Sequence, residues 1–259
     1  MKLGGMLFMS KNDISVVLAT KKRPVCLDRM LTSLIPAMQG VKYEVIVIDG
    51  DSKDNTLEIL AKHKVNRIFI ESEQFGAGHH SWGELYNFGF SLSDAKWIMY
   101  CSDDIIFNEN CFTSAIEVLN RQLDAVAGGM FFYRTIPSDC LFDIYGIDYT
   151  YGDKLMVNYG LIKKEAFWEV GGLDTSYKFY CADGDLCFKL YDAGKTFIPC
   201  PKSLVTHYKG IDASSQFHMR YSKEDIDKYK KKWAKYVNYK SSLDPRRLWL
   251  TDMETENED

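Results

Sequence analysis

Acidic residues recur at three places in this 259-residue chain where hydrophobic runs stop or a helix begins. "YEVIVIDGDS" (43–52) ends in Asp49 and Asp51, "AKWIMYCSDD" (95–104) ends in Asp103 and Asp104, and "YCADGDL" (180–186) carries Asp183 and Asp185. Carboxylates so placed can hold a hard cation, accept a hydrogen bond from a ligand, or take a proton from a hydroxyl. Asp183 and Asp185 open a helical stretch, where the helix dipole favours an anion. Their i, i+2 spacing sends the two side chains to different faces, so only one can be central.

The elements that must position these acids follow from hydrophobic pattern. "DISVVLAT" (13–20) is β-branched and nearly all apolar, as in a strand buried on both faces of a parallel sheet; the run from Tyr43 is a second buried strand, and "VNRIFIE" (65–71) and the run from Ala95 are a third and a fourth. Between them lie helical patterns: Leu27, Met30, Leu31, Leu34 and Ile35, then Leu57, Leu60 and Ala61 behind a capping Asp54, then Leu85, Phe88 and Leu92 after the Gly-rich "QFGAGHHSWG". A helix over 111–119 and a strand over 125–132 continue the series. Strands alternating with helices predict a doubly wound α/β layer. Right-handed crossovers put the carboxyl ends of the strands on one edge, where ligands bind. Asp49/Asp51 and Asp103/Asp104 are therefore expected on one rim.

The second half reads differently. Residues 133–159 are aromatic and turn-rich, an antiparallel excursion. "LIKKEAFWEVGGLD" is a short helix stopped by Gly171-Gly172, and the helix bearing Asp183 ends near Gly194. Residues 220–247 hold ten Lys/Arg against four Asp/Glu, interleaved with Tyr221, Tyr229, Trp233 and Tyr236. That composition fits either an amphipathic membrane-surface helix or a solvated helix packed on the domain. The residues before Asp13 read as a leader too brief for a signal or membrane span, and the acidic tail over 248–259 as disordered. A net charge of −4 gives no basic field for nucleic acid. Seven cysteines without a CxxC pair suit a reducing, cytoplasmic setting rather than a disulfide framework.

Taken in order, these stretches resemble glycosyltransferase family 2, inverting enzymes of the GT-A fold, over about residues 13–210. "VVLATKKRP" is similar to the family's first strand and Thr-x-Asn-Arg-Pro turn: Thr20, Arg23 and Pro24 match, and Lys22 replaces Asn. "VIVIDGDSKDNT" resembles its Val-Asp-Asp-Gly-Ser stretch with Gly50-Asp51 inverted, and Asn87 and Gly89 match its Asn-x-Gly helix. "WIMYCSDD" is similar to the strand leading to Asp-x-Asp, with Cys101 at the first Asp and Asp103 at the second. "GGLDTSYKFYCADGDL" resembles the turn before Glu-Asp-x-Asp-Leu, with Ala182 in place of Glu, and "VTHYKG" supplies a closing His207.

The resemblance implies a GT-A-like doubly wound mixed sheet with helices on both faces, a small antiparallel excursion and a C-terminal helical extension. It divides the chain into a glycosyltransferase domain over 13–210 (a nucleotide-binding half to 130, an acceptor-side half from 131) and a basic aromatic extension over 211–247. The implied reaction moves a sugar from a nucleoside diphosphate-sugar, UDP-sugar first, to a hydroxyl of a glycan or lipid-linked acceptor, inverting C1. Asp183 is implied as the base, and Thr20, Arg23, Asn87, Ser102 and Asp103 as donor contacts. Asp49 or Asp51 would accept the N3–H of uracil. Mn²⁺ or Mg²⁺ would be the cofactor, held by Asp103, with His207, and with Asp104 directly, through water, or not at all. Asp185 and Trp168 are implied on the acceptor side. Cys101 is a poor ligand for a hard ion and reads as a buried strand residue. Two rivals stand beside this reading. A nucleotidyltransferase would show a glycine loop after the first strand, which "TKKRP" lacks. A non-catalytic nucleotide-sugar or glycan-binding module is the alternative that Cys101 and Ala182 keep open.

Overall fold

The computed structural model describes residues 12–65, 67–122, 124–136, 145–208, 219–238 and 248–249. The expected leader and nearly all of the expected acidic tail lie outside the described residues. Four parallel strands carry the rim: β1 (Ile14–Thr20), β2 (Tyr43–Asp49), β3 (Arg67–Ile70) and β4 (Trp97–Cys101), side by side in the order β4-β1-β2-β3. Every residue of β4, and all but Ala19 of β1, is buried, as their unbroken apolar runs require. Helices α1 (Pro24–Ala37), α2 (Thr56–Lys62), α3 (Glu71–Phe75) and α4 (Trp82–Ser91) make the crossovers.

The inward faces of these helices differ in detail from their sequence pattern. In α1 the buried stripe is Leu27, Met30, Leu31, Leu34 and Ala37, while Ile35 is exposed. In α2 Thr56 and Leu60 turn inward, and Leu57 and Ala61 face out. Asp54 accepts from the Thr56 backbone N–H at 3.0 Å, close to the capping role expected of it. Helix α4 starts with a reciprocal capping box between Ser81 and Glu84. It buries Tyr86 and Phe90 and lies close to the sheet at Gly89. A Cβ there would collide with Val17 and crowd Ile48. Gly89→Ala should cost about 1–3 kcal/mol by overpacking, measured by urea denaturation.

After β4 the chain turns through Ser102–Asp104 into β5 (Ile105–Phe107), then α5 (Cys111–Leu119) and the long β6 (Val126–Ile136). Strands β7 (Gly146–Thr150) and β8 (Lys154–Met156) pair antiparallel, the expected excursion. β9 (Gly160–Lys163) inserts between β6 and β4, antiparallel to both. α6 (Lys164–Glu169) and α7 (Ala182–Asp192) follow, and β10 (Thr196–Tyr208) runs parallel to β6 and antiparallel to β5. The result is a mixed sheet with a hydrophobic core on each face.

Helices α8 (Ser222–Lys232) and α9 (Ala234–Val237) close the second core. Tyr229 and Trp233 are buried, and Phe188 of α7 stacks on Tyr236 at 4.3 Å between ring centres. Their aromatic face thus belongs to the domain. Leu248–Trp249, read as the start of the tail, form β11 against β7. No helix among the described residues is long and apolar enough to cross a membrane.

Candidate active site

Strand register brings the first acids together. Thr20 is level with Asp49, and Leu18 with Cys101, so Asp103, two residues past β4, comes level with Thr20. The Thr20 hydroxyl donates to Asp103 Oδ2 at 2.7 Å. Lys22 adopts a left-handed conformation (φ 53°), and Pro24 starts α1, which turns Arg23 back over the strand ends. Its guanidinium pairs with Asp103 Oδ1 and, at 3.1 Å, with Asp104 Oδ2. Ser102 donates to the other Asp104 oxygen. The β5–β10 pairing sets His207 opposite Ile105, and its Nε2 lies 3.7 Å from Asp104 Oδ2. Burial opposes ionisation of Asp104, but His207, Ser102 and Arg23 outweigh it and hold its carboxyl well below the usual range.

Cys101 is buried with Leu18, Met99, Ile105 and Phe107 in the core beneath α1, and burial pushes its thiol well above its usual range. It contributes packing. Cys101→Ser should therefore keep nucleotide affinity within about threefold and cost about 1–3 kcal/mol for burying a hydroxyl, read by calorimetric titration and denaturation.

A cleft of about 760 Å³ opens at this rim, with Asp103 and Asp183 both in its wall. Asp183 is held at the start of α7 by a tight local arrangement. Cys181 is left-handed (φ 68°), and the Gly184 N–H donates to Asp183 Oδ1 at 2.8 Å. Ala182 points into the second core at 1% exposure, so a glutamate there would have to be buried. Gly184 lies against Tyr229, whose hydroxyl a Cβ would meet at 2.8 Å. Asp225 of α8, buried itself, accepts from the backbone N–H groups of Lys178, Phe179 and Tyr180, each at 2.9 Å. The segment leading to Asp183 is thus fastened from the C-terminal extension.

The sequence model described as Glycosyl transferase family 2 matches residues 15–180. The chain belongs to glycosyltransferase family 2. No curated protein sequence matches it. Among solved structures, Staphylococcus aureus TarS 1–349 is 13% identical with a TM-score of 0.61, over 76% of this chain and 60% of that one. The same fragment in complex with UDP-GlcNAc is 14% identical, with a TM-score of 0.61, over 79% of this chain and 60% of that one. The mannosyltransferase PcManGT from Pyrobaculum calidifontis, in complex with GDP-Man and Mn²⁺, is 13% identical with a TM-score of 0.62, over 90% of this chain and 66% of that one. These likenesses establish the GT-A fold, and this chain spans about 60% of the TarS fragment's length.

In this family 2 chain the other expected site residues part company. Asp49 ends β2, buried, with Oδ2 accepting from the Ser52 N–H at 3.1 Å and Oδ1 without a hydrogen-bond partner. Burial raises its pKa. Asp51, left-handed at φ 58°, turns both oxygens to Ser72 at the start of α3. Asn87, expected at the donor, instead clasps Leu173: its Nδ2 donates to the Leu173 carbonyl and its Oδ1 accepts the Leu173 N–H, both at 2.9 Å. It fixes the Gly171-Gly172 turn. Asp185, expected on the acceptor side, is fully buried and receives Trp233 Nε1 at 2.8 Å, Lys232 Nζ at 2.7 Å and the Tyr177 hydroxyl at 3.2 Å. It ties α7 to α8. Trp168 packs its ring edge-to-face on Phe167 in α6, outside the cleft wall.

Lys21, Glu71, Tyr159, Phe179 and Tyr180 also line the cleft without having been singled out from sequence, as does Lys22, noted there only as a departure from the family turn. The run of two lysines before Arg23 was the one available signal. His79 and His80 of the Gly-rich loop line it too, and His79 stacks on Tyr221 at 5.1 Å between ring centres.

The expected divalent ion does not fit this donor set. Both oxygens of Asp103 and both of Asp104 already accept from Thr20, Ser102 or Arg23. The thiol of Cys101 lies in the core. No group of three or more His, Cys, Asp or Glu side chains among the described residues is placed to hold a metal ion.

Proposed function

We propose that this glycosyltransferase moves a sugar from a nucleoside diphosphate-sugar, with UDP-sugar first, to a hydroxyl of a glycan or lipid-linked acceptor, inverting C1. The observation that carries the reading is that one and the same cleft is walled by the strand-end Asp103 and by Asp183 at the start of α7. Asp183 takes the proton of the acceptor hydroxyl as its oxygen attacks C1 and the bond from C1 to the diphosphate breaks. A single displacement assisted by one positioned base corresponds to inversion. Lys21, Lys22 and Arg23 face the charge that grows on the leaving diphosphate. Oδ1 of Asp49 is the acceptor for a base N–H, since Asp51 is turned to Ser72. Thr20 and Ser102 act by holding the acid pair.

The half-buried rings of Trp82, Tyr159, Phe179 and Tyr180 offer stacking faces to sugar rings. A peripheral membrane contact by the extension would use the exposed Lys223, Lys230 and Lys231, because Tyr229 and Trp233 are buried. The six cysteines among the described residues are free, which supports a cytoplasmic site of action within this reading. A thermal-shift panel of UDP-, GDP- and dTDP-sugars tests the donor class. At least one should raise Tm, UDP-sugars foremost; a flat response across the panel counts against the reading.

A further inference from the structure

The acid pair at the rim already holds a cation. Arg23 bridges Asp103 and Asp104, with its side chain 19% exposed and Asp103 at 3%. Thr20 and Ser102 occupy the remaining oxygens. A guanidinium is suited to this task because it is always charged and presents paired donors in a fixed fork. Lys21 and Lys22, in the same turn, reach the cleft wall. They add two cations beside the Arg23 fork, Lys21 within electrostatic reach of Glu71 in the same wall.

Two of the chain's departures from the family pattern point the same way. Cys101 removes a carboxylate from the strand end, and Lys22 adds a cation to the turn. Both lessen the negative charge that a divalent ion would otherwise offset. Structure explains how each is accommodated: the thiol packs in the core, and Lys22 occupies an exposed left-handed position whose N–H donates to Ser52 Oγ at 2.8 Å.

We propose that Arg23, supported by Lys21 and Lys22, is the built-in cation of this site, so that the chain binds nucleoside diphosphate without a divalent ion. The inference rests on the nucleotide-sugar reading of the cleft. Asp103 and Asp104 act on the nucleotide through Arg23, as positioning residues that fix its guanidinium at the mouth of α1. Sugar transfer would then use fixed side-chain charge rather than an exchangeable ion to meet the leaving diphosphate.

Calorimetric titration of the purified chain with UDP, once in excess EDTA and once in Mn²⁺, tests this, with GDP and dTDP run alongside. The affinity of the bound nucleotide should agree within about threefold between the two conditions. Arg23→Met should weaken binding in EDTA by about tenfold or more, the scale of a lost charge-assisted hydrogen bond. Because that change strips a partner from buried Asp103, the exposed Lys22→Asn serves as the second variant and should weaken it about threefold or more, the scale of one exposed charge. Binding that appears only with Mn²⁺, or variants that match wild type in EDTA, would overturn the proposal. Absence of binding by all three nucleotides in both conditions would instead overturn the nucleotide-sugar reading beneath it.

Discussion

Replacing Asp183 with Asn should abolish sugar transfer while leaving nucleotide affinity within about threefold of wild type. The expected loss in kcat is about 10²–10⁴-fold, the contribution of a positioned general base. The amide keeps the shape of the side chain and can still accept from the Gly184 N–H at Oδ1, so the start of α7 is preserved. What disappears is the capacity to take the acceptor proton. The separation of effects matters because Asp183 shares the cleft wall with Asp103 but stands on a different element, α7 rather than the end of β4. A variant that transfers sugar at the wild-type rate would remove Asp183 from the role of base. One that loses nucleotide binding as well would make it a structural residue of the cleft.

The second large effect is expected at Asp225, which lies far along the chain from every acid at the rim. Its carboxylate is 1% exposed and serves three consecutive backbone N–H groups, at Lys178, Phe179 and Tyr180. Asp225→Ala leaves those donors without their acceptor, at about 1–3 kcal/mol for each one that stays buried. Their partial exposure admits water, so the loss should fall at about 3 kcal/mol or somewhat above. For a chain of this size that corresponds to a fall in Tm of about 6–12 °C. Transfer should fall too, through kcat more than through nucleotide affinity, because residues 178–180 lead directly into Cys181 and Asp183. Denaturation within about 1 kcal/mol of wild type would show that the extension does not fasten this segment.

The four parallel strands were legible because each carries an apolar run that stops at the rim, with acids at or just past the ends of β2 and β4. The lone cysteine in β4 was legible in the same way: Cys101 sits on a strand whose every residue is buried. Helix faces were less so. Leu57 and Ile35 satisfy a helical spacing yet face solvent, because the width of the buried stripe depends on what the helix packs against. Asp49 and Asp51 could not be told apart by type. Only the left-handed turn that carries Asp51 to Ser72 leaves Asp49 Oδ1 as the unpartnered acceptor.

Asn87 and Asp185 match family positions, but their partners are Leu173 in one case and Trp233 and Lys232 in the other, 47 or more residues away. No spacing rule reports such contacts. The same is true of Arg23. Its sequence position fits a donor contact, whereas its engagement with Asp103 and Asp104 arises from strand register and the turn at Lys22. The basic extension illustrates composition pointing two ways. Its aromatic residues serve equally for a membrane surface and for a protein core, and here Tyr229 and Trp233 are in the core.

Release of nucleoside diphosphate from a panel of UDP-, GDP- and dTDP-sugars, with hydroxyl acceptors present, bears most directly on sugar transfer at this cleft. Run for the purified chain and for Asp183→Asn side by side, it should show release from at least one donor by the wild type, UDP-sugars first. The variant should release about 10²–10⁴-fold less. A wild-type chain that neither binds nor turns over any donor in the panel would contradict it.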